Sequence, residues 1–212
     1  MKSVMLSIQP KWCEKIASGE KTIEVRKTKP KLETPFKVYI YCTKGKDLLR
    51  EVDCWNTKAK IHTTNYKIIN LDYCTNKIAN GKVIGEFVCD KILCSQAYFD
   101  NQGKNHLTNV FEEDIKRTCL TEYELWDYIA GKAVKANEMY DGYLWHISEL
   151  KIYDKPKELS EFRKQCEFAY SSYEEGTCYE DCIQGKLEDC RCFCLPLKRP
   201  PQSWCYVEDL GE

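Results

Sequence analysis

The chain has 212 residues, 43% hydrophobic and 31% charged, a balance that excludes disorder and suits one domain with an appendage around a real core. Its 32 lysines and arginines nearly equal its 33 aspartates and glutamates, which excludes a molecule-wide positive field, so any nucleic-acid contact must be a local patch. No apolar run reaches bilayer length, and Met1-Lys2-Ser3-Val4 lacks a signal-peptide core; a cytoplasmic protein without membrane contact is expected.

In chain order, Val4, Leu6 and Ile8 alternate as a first strand. Pro10 at a first helical position, Trp12 and Ile16 one turn apart and Gly19 at the exit predict a short helix. Lys21 to Lys27 then alternates, with Ile23 and Val25 on one face and Thr22, Glu24 and Arg26 on the other. The plain reading of that row is a solvated strand face. The alternative is a ligand site carrying a hydroxyl, a carboxylate and a guanidinium.

Lys29-Pro30-Lys31 and Thr34-Pro35 mark a loop, and Phe36 to Cys42 is strand-like. Its partner by pattern runs from Gly81 to Ile92, introduced by an Asn80-Gly81 turn signal. Residues 43–80 between them are polar and weakly periodic, an inserted loop region. Residues 95–120 lack strong periodicity. Thr121-Glu122-Tyr123-Glu124 is a capping box ahead of a helix ending at Gly131, and Gly142 to Tyr153 reads as one long strand ended by Pro156. Strands outnumber helices and no βαβ array is visible. The expected class is therefore mainly β with helices (α+β), a small antiparallel barrel with two packed helices.

Of fourteen cysteines, seven are scattered through residues 13–119, several of them in apolar strand-like runs where a reduced thiol serves as a small buried hydrophobe, and seven fall between Cys166 and Cys205. Cys178, Cys182, Cys190 and Cys194 are the preferred ligands of a structural zinc, because neighbouring Cys-x-Cys thiols point apart in an extended chain and one of the closing three must be left out. Reduced thiols, then disulfides, are the alternatives. Pro200-Pro201 leads Ser203 to Val207 back as a final strand, so residues 1–155 read as one domain and 156–212 as a cysteine-rich tail returning to it. His62, His106 and His146 have no local sequence partners and read as ordinary residues, with His146 a minor candidate for the site.

Gly19-x-Lys21-x-x-Glu24-x-Arg26, directly after a strand and a short helix, resembles the signature of the ASCH family, a branch of the PUA-like superfamily of RNA-associated β-barrels. The late strand Tyr143 to Leu150 and the closing Arg199 to Val207 resemble the phage and prophage subgroup. The resemblance implies a PUA-like barrel whose cleft takes RNA or a modified nucleoside: Lys21 and Arg26 on phosphate or a base edge, Glu24 on an exocyclic amine, Thr22 beside them, Trp12 or Trp145 stacking. It also implies a second function, since some members are amidohydrolases acting on N4-acylated cytidine. Lys21 and Glu24 would then be catalytic, but Glu24 stands where those enzymes carry threonine, and the distant glutamate has only Glu122 or Glu124 as counterparts. A third reading is a protein-interaction module using the cysteine tail.

Overall fold

The computed structural model describes residues 2–44, 48–54, 57–64, 75–131, 135, 138–164 and 195–211. In chain order its elements are β1 (Lys2–Ile8), α1 (Pro10–Ala17), β2 (Ile23–Arg26), β3 (Phe36–Cys42), β4 (Leu48–Cys54), β5 (Thr57–Thr64), β6 (Thr75–Ile78), β7 (Lys82–Cys89), β8 (Ile92–Phe99), β9 (Asn105–Leu107), α2 (Glu112–Thr118), α3 (Glu122–Ala130), β10 (Tyr140–His146), β11 (Ser148–Glu158), a 3-10 turn (Leu159–Glu161), β12 (Arg163–Lys164), β13 (Leu195–Pro196) and β14 (Trp204–Glu208). The fold class is mainly β with helices, as expected. The strands form three sheets, and no ring closes among the described residues. The expected barrel is corrected to open sheets, and the expected two helices to three α-helices among those residues.

The chain divides into two interleaved compact units, one of Met1–Pro10, Lys37–Glu86 and Ile152–Glu212, the other of Lys11–Phe36 and Phe87–Lys151. In the first, the sheet runs β11-β7-β3-β1-β14-β12-β13. Its centre is β1, parallel to β3 from Val4↔Val38 to Ile8↔Cys42 and antiparallel to β14 from Lys2↔Glu208 to Leu6↔Trp204. A central strand covered on both faces needs a continuous apolar run, and Val4, Met5, Leu6 and Ile8 are all buried. Met5 packs with Tyr39, Val83, Phe162 and Val207. Each large aliphatic side chain so buried contributes about 1.5–3 kcal/mol. The return of the tail as a final strand is observed.

Three stretches differ from expectation. Residues 43–80 carry β4, β5 and β6, an antiparallel sheet ordered β5-β4-β6. Backbone pairing builds it without the alternation that a sequence pattern detects. The run Gly142 to Tyr153 is two strands, because β10 pairs with β2 and β8 while β11 neighbours β7. The break falls at Ile147, whose N–H donates to the Thr22 carbonyl, and Glu149 follows with φ +47°. Finally β11 continues through Pro156 to Glu158; it is the edge of its sheet, where a residue without an N–H is tolerated.

The second unit holds the sheet β2-β10-β8-β9 with α2 and α3. Its core joins Ile23, Val25, Ala97, Leu125, Trp126, Ile129 and Leu144. β8 escapes a pattern search because its fully buried positions are the small Ser95 and Ala97. The close approach of α3 depends on Gly142, where an added Cβ would stand 2.4 Å from Ile129 Cδ1. The capping box of α3 forms as expected, the Glu124 N–H donating to Thr121 Oγ1 and the Thr121 N–H to Glu124 Oε2.

Candidate functional site

Gly19 ends α1 with φ +80°, the left-handed conformation that glycine adopts at least cost. The chain then turns back, its Gly19 and Lys21 amides donating to the Ile16 and Lys15 carbonyls. Thr22 is fixed next: its N–H donates to the Arg117 carbonyl at 3.0 Å and its Oγ1 accepts from Arg117 Nε at 2.9 Å. By the time the chain enters β2, its position is set by α1, α2 and β10.

On that scaffold three charges converge. Lys21 Nζ lies 3.3 Å from Glu24 Oε2, and Arg26 Nη2 lies 2.9 Å from Glu24 Oε1. Lys21, Glu24 and Arg26 are 3%, 7% and 7% exposed, which overturns the plain reading of a solvated strand face. The alternation holds nonetheless. Ile23 and Val25 enter the apolar core, while Glu24 stands opposite Trp145 and Arg26 opposite Tyr143 in register.

The lysine is saturated. Besides Glu24, its ammonium donates to the Ile23 and Thr118 carbonyls, each at 2.8 Å, so three protons meet three oxygens. Thr118 closes α2, whose last carbonyls have no partner within the helix and favour a cation. Lys21 therefore ties α2 to β2 while holding one oxygen of Glu24. The triad carries a formal charge of +1.

The remaining candidates divide. Trp12 is half-buried, with Lys21 Nζ 5.2 Å and Lys11 Nζ 4.6 Å from its ring centroid. Thr22 is beside the triad, its hydroxyl held by Arg117. Trp145 is a correction: it is fully buried and packs edge-on against Phe36 at 5.7 Å, which leaves no face for a base. His106 and His146 each find an aspartate in the folded chain. His106 Nε2 pairs with Asp100 Oδ2 at 2.8 Å under the ring of Tyr98, and His146 Nδ1 pairs with Asp90 Oδ1. Glu124 is engaged in its cap, which holds its carboxyl below the ordinary range through the bonds from the Thr121 N–H and hydroxyl.

Several neighbours of the triad were not visible as site residues. Thr118 and Arg117 come from α2, a helix whose stretch lacks a strong sequence signal. Tyr128 of α3 is 40% exposed; burial of its phenol raises its pKa, Arg26 lowers it and Glu24 raises it. Lys27 Nζ lies 5.9 Å from the Tyr128 ring centroid and Lys29 Nζ 5.5 Å from that of Tyr143. A signal for the lysines existed: Arg26-Lys27-Thr28-Lys29-Pro30-Lys31 holds four cations and no acid.

Cys13, Cys42 and Cys89 are buried, as expected of small hydrophobes, and burial pushes the Cys89 thiol up to about 12. The candidate zinc ligands Cys178, Cys182, Cys190 and Cys194 lie outside the described residues. Among the described residues no three His, Cys, Asp or Glu side chains are grouped to hold a metal. No described helix is long and apolar enough to cross a membrane.

No protein-family profile and no curated protein matches the sequence. Two solved structures are similar to this chain. The crystal structure of ASCH from Zymomonas mobilis is 14% identical, covering 97% of this chain and 87% of that one, with a TM-score of 0.49. A mutant form of the same Zymomonas mobilis protein is 15% identical, covering 98% and 91%, with a TM-score of 0.48.

Proposed function

We propose that this chain binds a nucleobase-containing ligand, RNA or a modified nucleoside, at the Lys21–Glu24–Arg26 site, as an ASCH-type domain. The observation that carries the reading is the pair of cations on one carboxylate: Lys21 takes Glu24 Oε2 and Arg26 takes Oε1. That arrangement fixes a carboxylate and a guanidinium side by side before any ligand arrives, so little ordering cost remains on binding. Glu24 keeps lone pairs to accept from an exocyclic amine, and Arg26 offers donors to a ring nitrogen, a carbonyl or a phosphate. The sequence resemblance at Gly19, Lys21, Glu24 and Arg26 supports the same reading.

In this reading Lys21 is a positioning group. A lysine base or nucleophile needs a lone pair on nitrogen, whereas all three ammonium protons here are directed at acceptors. Calorimetric titration with the four ribonucleosides, N4-acetylcytidine and a short single-stranded RNA tests the proposal. At least one is expected to bind the wild type and to lose most of its affinity in Arg26→Ala and Glu24→Gln. Release of cytidine from N4-acetylcytidine, lost in Lys21→Ala while the fold persists, would replace binding by the amidohydrolase reading. Absence of binding and of turnover would leave the interaction-module reading.

A further inference from the structure

Next to the buried triad, the segment Arg26 to Lys31 places Lys27, Lys29 and Lys31 at the surface while Pro30 is buried. The buried proline anchors a segment, residues 27–31, in which three of the four exposed positions are lysines, and Glu33 is the exposed acid beyond it. The chain as a whole is nearly neutral, with a net charge of −1, so this run is a local concentration and not a sample of a basic surface. Rings are interleaved with it. Lys27 stands over Tyr128, Lys29 over Tyr143 and Lys11 over Trp12, all within 6 Å of the centroids. Tyr143 lies opposite Arg26 across the β2–β10 pair, and the charges of Arg26 and Glu24 reach the Tyr128 phenol. Tyr143 therefore borders the triad across the strand pair, and Tyr128 lies within range of its charges. Asp141, beside Tyr143, is the acid that limits the strip on that side.

A free nucleoside has no phosphate for these lysines. A strand has one on every unit, and alternating cations with aromatic faces are what a single-stranded backbone and its unstacked bases require. Resting on the reading above, we propose that Lys27 and Lys29, with the rings of Tyr128 and Tyr143, form a second contact surface for the phosphates and a neighbouring base of a single-stranded nucleic acid. The ligand of the Glu24–Arg26 site is then one unit of a strand.

The test uses the full chain and the exposed double variant Lys27→Ala/Lys29→Ala, which leaves the triad intact. The probes are a labelled mixed-sequence RNA of about 12 nucleotides, its duplex, and the four free nucleosides. The wild type is expected to bind the single strand at least about tenfold more tightly than any nucleoside. The double variant is expected to lose about tenfold on the strand, with the slope of log K against log salt reduced by about 1.4 for two phosphates. Nucleoside affinity should not change. A strand bound no tighter than a nucleoside, a duplex bound equally well, or a double variant equal to wild type in affinity and slope each overturns the proposal. Arg26→Ala separates the two readings: loss of nucleoside binding with salt-sensitive strand binding retained supports the surface independently. If no nucleoside binds the wild type while the strand depends on Lys27 and Lys29, the nucleobase reading fails and the surface stands.

Discussion

Replacing Lys21 by methionine keeps an unbranched apolar chain of similar length and removes only the ammonium. In the native structure that group is 4% exposed at its side chain and bonds Glu24 and the Ile23 and Thr118 carbonyls. Removing one partner of a buried ion pair costs about 3–5 kcal/mol, and each stranded carbonyl costs about 1–3 kcal/mol. The three bonds share one donor and one small network, so these penalties overlap instead of summing. Arg26 stays on the other oxygen of Glu24, which holds the expected loss to about 4 kcal/mol. With a urea slope of roughly 2 kcal/mol per molar, the unfolding midpoint should fall by about 2 M. Tryptophan fluorescence is a suitable probe, because Trp145 is fully buried in the same unit. Lys116→Met serves as control, since its pair with Glu112 is exposed; its midpoint should match wild type. A Lys21→Met curve superimposed on the Lys116→Met curve would refute the strut role of the lysine.

Gly142→Ala drives a methyl group into Ile129 and should lower stability by about 1–3 kcal/mol, read as a fall in thermal midpoint. Thr121→Ala removes the cap of α3 and should cost about 1 kcal/mol. The carboxyl of Glu124 should then rise toward the ordinary value of about 4.3 in an NMR pH titration. Because that carboxyl is depressed in the folded protein, its contribution is present above the ordinary value and is lost as pH falls through the folded one. Cys89 should resist alkylation at pH 8 in the folded protein, since burial pushes its thiol up to about 12, and should react at once in urea. For the tail, we propose one structural zinc on Cys178, Cys182, Cys190 and Cys194. Native mass spectrometry should show one zinc per chain, lost on acidification, and a metal-free mass with intact thiols would contradict it.

The sequence was most legible where local chemistry decides the outcome. Gly19 announced its left-handed turn, Thr121 and Glu124 their capping box, and Pro10 the start of a helix. The row Glu24 and Arg26 was readable from period-two alternation, but its burial was not. Alternation tells which residues share a face, and only the placement of neighbouring elements decides whether that face meets water. Trp145 illustrates the point, since its register opposite Glu24 puts it beside the site while Phe36 covers it. The Thr118 partner of Lys21 was illegible for a different reason. Thr118 is a backbone acceptor 97 residues away, and a carbonyl at a helix end leaves no trace in side-chain pattern. Likewise the division of residues 142–153 between two sheets follows from the Ile147–Thr22 backbone bond, not from any breaker in the run itself.

Two-dimensional NMR of the labelled protein during addition of a short single-stranded RNA reports whether Glu24 and Arg26, held by Lys21, meet a nucleobase. Saturable shifts should be confined to Lys21 through Lys29, the indole of Trp12 and the surroundings of Tyr128 and Tyr143, and those at Lys21 and Arg26 should be lost in Glu24→Gln. Saturable shifts confined to residues distant from this group, or shifts at Lys21 and Arg26 that persist unchanged in Glu24→Gln, would contradict that contact.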